Sequence, residues 1–366
     1  VRMLQLIHLF LEQGWQVTFG CAAKQSENKI KLQTLGINEV EIELNCISFD
    51  LFLKDLGPTI VLFDRFLTEE QFGWRVAENS PNSMRILDTE DLHCLRNVRQ
   101  DCYKKNKEFT IDELKRYDIT KREIASILRC DLSLIISSFE MSVLKDEFKI
   151  DDRILYYLPF LFSKIDDVVV QKWLQFKDRE HFIFIGNFYH KPNVDAVLTL
   201  KKHIWKVIKE KLPNAELHIY GAYVTKQIEQ LHNAKEGFLI KGYAINSEEV
   251  FSKAKVILAP LNFGAGIKGK LTDAMRFGTP SVTTSIGAEG MYSNQDWSGA
   301  VTDNYDTFAE QAIALYTDIT YWEKAQENGV KIINEIYDKE KLVPFFYDNL
   351  LTILQDLENH RSNNFL

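Results

Sequence analysis

Apolar residues near the start of the chain recur three and four apart: Met3, Leu4, Ile7, Leu11 and Trp15. That period predicts an amphipathic helix, which Gly14 ends. Strands and helices then alternate. Gln16–Cys21 and Asn38–Leu44 read as short strands. Thr59–Asp64 (TIVLFD) and Ser83–Asp88 (SMRILD) are apolar runs closing on an acid, as strands buried in a parallel sheet do. Glu69–Asn79 and Asp112–Leu128 predict helices, Leu132–Ser137 a strand, Ser138–Phe148 a helix and Ile154–Leu158 a further strand.

Residues 160–180 break this order with an irregular polar stretch, read as a linker. Alternation restarts with strands at His181–Gly186, Ala215–Gly221, Phe238–Gly242, Lys255–Pro260 and Pro280–Thr284. Helices are predicted at Asp195–Lys211, Thr225–Asn233, Glu248–Lys253, Lys270–Phe277 and Tyr305–Ile333, the last broken near Thr317–Thr320. Such alternation predicts α/β architecture, two doubly wound Rossmann-like domains facing a cleft. The expected division is a first domain over 1–163, a linker over 164–180, a second domain over 181–341, and a C-terminal helix within 342–366 crossing back to the first. A doubly wound domain opens with a strand and a glycine-rich turn before its first helix. Neither precedes Met3, so about 10–25 residues are expected ahead of Val1 in the full protein.

Composition narrows the function classes. The 366 residues are 45% hydrophobic and 26% charged, enough apolar material for two cores. A net charge of −8 argues against a nucleic-acid partner, which asks for a basic face. The five cysteines (Cys21, Cys46, Cys94, Cys102 and Cys130) form no C-x-x-C pair, so neither a zinc cluster nor a disulfide scaffold is expected. No apolar run reaches the ~18–20 residues of a membrane span. A cytoplasmic protein is expected, able to associate peripherally with the inner face of a membrane.

The segment Ala259–Met291 (APLNFGAGIKGKLTDAMRFGTPSVTTSIGAEGM) carries the chemistry. Gly264, Gly266 and Gly269 follow a strand and lead into a helix. Glycines admit close backbone approach, and amides at a helix N-terminus attract anions. Lys268 and Lys270 add two cations there, making a phosphate cradle. It is not a Walker A loop, because G-K-[ST] is missing.

These residues, with Asp273-Ala-Met275, Gly278-x-Pro280 and Gly287-Ala-Glu-Gly290, resemble the donor site of retaining glycosyltransferases of the GT-B fold, the group 1 or family 4 class. Ile185-Gly-Asn187 with Pro192-Asn-x-Asp195 resembles the opening of that family's second domain. Leu87-Asp-Thr-Glu-Asp-Leu-His93 resembles a segment of its first, and Phe63-Asp-Arg-Phe66 and Glu70–Arg75 match a subset of members.

The resemblance implies a sugar transfer from a nucleotide-diphosphate sugar to a saccharide or lipid-linked acceptor, with retention, without a metal and with no other cofactor. It implies that Asp273, where the family usually has Glu, binds the ribose. Lys268 and Lys270 would hold the diphosphate, with Gly186, Asn187, Gly264, Ala265 and Ile267 around the nucleotide sugar. A further family Glu is Ala265 here, and the amides of Gly266 and Ile267 would take over. Lys268, Gly266 and His93 are the expected catalytic groups, with Asp64, Arg65 and Asp91 on the acceptor side.

Several residues keep two readings. His93 faces the sugar or is a loop histidine held by Asp91. Arg65 contacts the acceptor or pairs with Asp64. Arg96 and Arg99 serve an anionic acceptor or, the favoured reading, line an exposed helix face. Glu289 contacts the nucleotide or, slightly favoured, caps its loop. The whole chain also has an alternative reading, a non-catalytic sugar-nucleotide-binding subunit of a transferase complex.

Overall fold

A computed structural model describes residues 2–23 and 32–364. The chain divides into two compact units. The first comprises Val1–Cys94, Leu114–Leu161 and Lys341–Leu366; the second comprises Leu95–Glu113 and Phe162–Glu340.

The first unit holds strands β1 (Thr18–Cys21), β2 (Asn38–Glu41), β3 (Ile60–Asp64), β4 (Met84–Asp88), β5 (Leu132–Ile135) and β6 (Leu155–Tyr157). β1 pairs with β2 in one parallel sheet, and β3-β4-β5-β6 form another. Met84, Ile86, Leu132 and Leu134 share a core with Leu6 and Leu9 of the first helix and with Phe346, Leu350 and Ile353 near the C-terminus.

The second unit holds β7 (Glu180–Ile185), β8 (Leu217–Tyr220), β9 (Phe238–Gly242), β10 (Ala254–Ala259), β11 (Ser281–Thr283) and β12 (Gly299–Val301). All pairs are parallel, in the order β12-β11-β10-β7-β8-β9. The chain starts in the middle at β7, builds outward to β9, then returns beside β7 and builds the other way. This is the doubly wound order, whose reversal point lies between β7 and β10.

Local physics explains where elements depart from the periodicity. The expected helix over Asp112–Leu128 is two, Ile111–Arg116 and Asp118–Leu128, because Tyr117 adopts extended backbone between them. The helix expected from Asp195 starts at Lys191, with Pro192 in its first turn where a missing N–H costs nothing. It continues through a π turn at Leu200–Ile204. Of Thr225–Asn233 only Lys226–Glu229 is helical. The expected break near 317–320 occurs at Asp318, whose carboxylate accepts the amides of Thr320 and Tyr321 and starts Ile319–Ile336.

Candidate functional site

In a parallel sheet every strand delivers its following loop to the same edge. At the reversal point the loops after β7 and β10 are therefore neighbours, and that is where ligands enter open α/β sheets. The loop after β7 opens with Gly186 and Asn187; the loop after β10 carries Gly264, Ala265, Gly266, Ile267 and Lys268 into the helix Gly269–Arg276.

Close packing sets the first loop. A Cβ on Gly221, just past β8, would lie 2.1 Å from the Gly186 carbonyl oxygen and 2.5 Å from the Phe188 ring, so no side chain fits between these strand ends. A Cβ on Gly186 would meet the Asn193 side chain at 2.7 Å. Asn193 Nδ2 donates to the Asn187 carbonyl at 2.7 Å, and its Oδ1 accepts from Lys270 Nζ at 2.5 Å. Asn193 thus links the two loops.

The second loop turns at Gly266, whose φ of +62° is the left-handed region that favours glycine. Lys268, only 8% exposed, occupies the N-cap position and donates from Nζ to the Gly266 carbonyl at 2.8 Å. The Lys270 ammonium lies over the Phe184 ring at 4.2 Å. Burial drives it from the ordinary lysine value of 10.5 down to about 7. A group in this state gains its full charge when an anion arrives beside it. Asp273, on the same helix, pairs with Arg276 at 3.0 Å, and burial raises its carboxyl despite that partner.

Arg99 corrects the sequence reading. It is not on an exposed face but 6% exposed, with Nη1 and Nη2 donating to the two Glu289 carboxylate oxygens at 2.7 Å each. Nη1 also donates to the Gly264 carbonyl at 3.0 Å. One guanidinium therefore fixes the glycine loop to the segment after β11, and Glu289 is engaged in that tie. Gly287 is required nearby, since a Cβ there would lie 1.9 Å from Thr283 Oγ1.

The strand ends of the first unit carry the other expected residues. Asp64 and Asp88 are register partners closing β3 and β4. Arg65, at φ +68°, donates to both Asp64 oxygens at 3.1 and 3.0 Å, which is the pairing alternative. Asp91 Oδ1 lies 3.3 Å from His93 Nε2. Two buried glutamates carry this loop. Glu140 accepts the Leu92 amide at 2.9 Å, and Glu123 accepts those of His93 and Cys94 at 3.0 and 2.6 Å, capping the helix His93–Lys104. Burial raises Glu123 to about 7. Glu90, half-buried at φ +56°, is likewise raised to about 7 by burial and then by Asp64.

The structure thus groups Gly186, Asn187, Gly264, Ala265, Gly266, Ile267, Lys268, Lys270, Asp273 and Glu289 in the second unit, and Asp64, Arg65, Asp91 and His93 in the first. Sequence reasoning did not single out Asn193, Glu90, Glu123 or Glu140. Two of them carried a signal: Asn193 stands inside the Pro192-Asn-x-Asp195 motif and Glu90 inside Leu87-Asp-Thr-Glu-Asp-Leu-His93.

Residues 179–318 match the family described as "Glycosyl transferases group 1". A 44.6 kDa Klebsiella pneumoniae protein of the cps region is 24% identical over 296 residues, 76% of this chain and 72% of that protein. Sucrose-phosphate synthase from Thermosynechococcus elongatus superposes with a TM-score of 0.69 at 16% identity, over 95% of this chain and 92% of its own. S. aureus TarM, solved with fondaparinux, α-GlcNAc-glycerol and UDP, gives 0.63 at 15% identity over 83% of this chain. The chain spans 58% of that protein, under two thirds of its length. At these identities the superpositions show the shared fold.

Proposed function

We propose that this chain, a group 1 glycosyltransferase of the GT-B fold, moves a sugar from a nucleotide-diphosphate sugar to a saccharide or lipid-linked acceptor with retention of configuration. The observation that carries the donor assignment is the meeting of Gly266, Lys268 and Lys270 at the reversal point of the second sheet, on the N-terminus of an eight-residue helix. UDP is the nucleotide to try first, since TarM was solved with it.

In this reading the diphosphate lies against the first turn of Gly269–Arg276, where amides lack intrahelical acceptors. Lys270 charges on binding, and Lys268 leaves the Gly266 carbonyl for a phosphate oxygen. The bond from the sugar's anomeric carbon to the diphosphate oxygen breaks, and its electron pair stays on the diphosphate. Preorganised cations and amides stabilise that charge. The acceptor hydroxyl oxygen bonds to the anomeric carbon on the face the leaving group vacates, and its proton passes to a phosphate oxygen. No divalent ion is required for this scheme. Asp273 holds the ribose.

No helix among the described residues is long and apolar enough to cross a membrane. We place the work in surface-polysaccharide assembly, following the cps-region relative, at the inner face of a membrane when the acceptor is lipid-linked. The test incubates the chain with UDP- and GDP-sugars and candidate acceptors, and reads the anomeric coupling of the product by NMR. Product with the donor's configuration supports the proposal. Nucleotide binding without turnover on any acceptor would favour the non-catalytic subunit.

A further inference from the structure

At the opposite ends of β7 and β8 three ligating side chains converge. His181 is the second residue of β7, Glu216 immediately precedes β8, and His218 is its second residue. Glu216 and His218 are two apart and share a strand face, and the register pairs His218 with Ile183, two along from His181. One ligand atom from each residue lies within 4.8 Å of the others. Glu216 Oε2 is 2.8 Å from His218 Nε2 and 3.7 Å from His181 Nδ1. The imidazoles stack, with centroids 4.0 Å apart and planes at 30°.

We propose that His181, Glu216 and His218 bind one divalent transition ion of the zinc class, separate from the donor loops, clipping the starts of β7 and β8 together. Tetrahedral ligands about 2.0–2.1 Å from zinc stand roughly 3.3 Å from one another, and the observed 2.8 and 3.7 Å bracket that spacing. The donor set is two imidazoles and a carboxylate, with the fourth position left to water. The other ring nitrogen of His181 lies 3.5 Å from Glu180 Oε2. A carboxylate there is the usual partner of a metal-bound imidazole, fixing its tautomer and orientation.

Charge also fits. Glu180 lies 3.5 Å from His181 and Glu216 2.8 Å from His218, so two carboxylates face the imidazoles, with Lys241 also acting on His218. Asn187 lies six residue steps past His181, four of them along β7, which is on the order of 20 Å at 3.3 Å per residue, so the ion would not touch the diphosphate.

The test titrates cobalt(II) into the full chain after chelator treatment, following its visible d–d bands, then displaces it with zinc. One equivalent is expected, with bands of low coordination number and no thiolate charge-transfer band. Removing an outer partner of a metal site weakens it by about 10–100-fold. Glu180→Gln should therefore weaken binding by about tenfold, and His181→Gln and Glu216→Gln, which remove ligands at half-exposed positions, by at least about 100-fold. Absence of saturable binding, or equal affinity in the wild type and both ligand variants, would overturn the proposal.

Discussion

Lys270 gives a sharp test of the donor assignment, because its proton inventory should change when a diphosphate binds. Its value of about 7 lies some 3.5 units below the ordinary 10.5, on the order of 5 kcal/mol of disfavour toward the charged form. At pH 8 about one tenth of the free sites are protonated, and an adjacent diphosphate restores the charge, so binding should take up about 0.9 proton. Affinity should then fall with pH above 8, approaching tenfold per unit. The free chain shows the same linkage with its own sign. The unfolded lysine titrates at 10.5 and the folded one at about 7, so the unfolded state binds more protons between those values. Stability therefore rises with pH across that window. The assay is calorimetry of UDP binding at pH 8 in buffers of different ionisation enthalpy. The slope of observed heat against buffer enthalpy should correspond to uptake of about 0.9 proton and collapse in Lys270→Met. A slope near zero in the wild type, or an equal slope in the variant, would refute the reasoning.

Three other predictions follow from named contacts. Arg99→Met leaves Glu289 without its bidentate partner and should cost about 3 kcal/mol in chemical denaturation while weakening nucleotide binding; an unchanged midpoint and affinity would contradict the tie between the two loops. Gly221→Ala places a methyl 2.1 Å from the Gly186 carbonyl oxygen and should destabilise by roughly 1–3 kcal/mol, read as a lowered Tm. Glu90 titrates near 4.5 unfolded and about 7 folded, so the folded state binds the extra proton between those values and stability falls as pH rises through them. Glu90→Gln should remove roughly 3 kcal/mol of that fall, and parallel stability–pH curves for variant and wild type would show the carboxyl is not held in this state.

Much of the architecture was legible because buried parallel strands announce themselves. Thr59–Asp64, Ser83–Asp88 and Lys255–Pro260 are apolar runs that no solvated helix could sustain, and the loops directly following such strands are where ligands are met. The glycine and lysine spacing of Gly264–Lys270 was legible for the same reason. Partner choice was not. Arg99 and Glu289 stand 190 residues apart, and nothing local separates a tying arginine from a solvated one on a helix with this pattern. The burial of Lys270 escaped because lysines in a first helical turn ordinarily reach water. Phe184 and Asn193, which enclose it, come from other elements. Glu123 and Glu140 look like surface positions of their helices until the amides they cap are in place. The helix over Asp112–Leu128 failed at Tyr117, where the extended residue breaks a period that is continuous in the sequence.

Hydrogen exchange with and without saturating UDP tests the central claim most directly, because it locates the ligand rather than only detecting it. The account predicts slowed exchange at 186–193 and 264–272, and loss of that protection in Lys268→Ala at equal UDP. Protection elsewhere with none in those two segments would contradict the donor site.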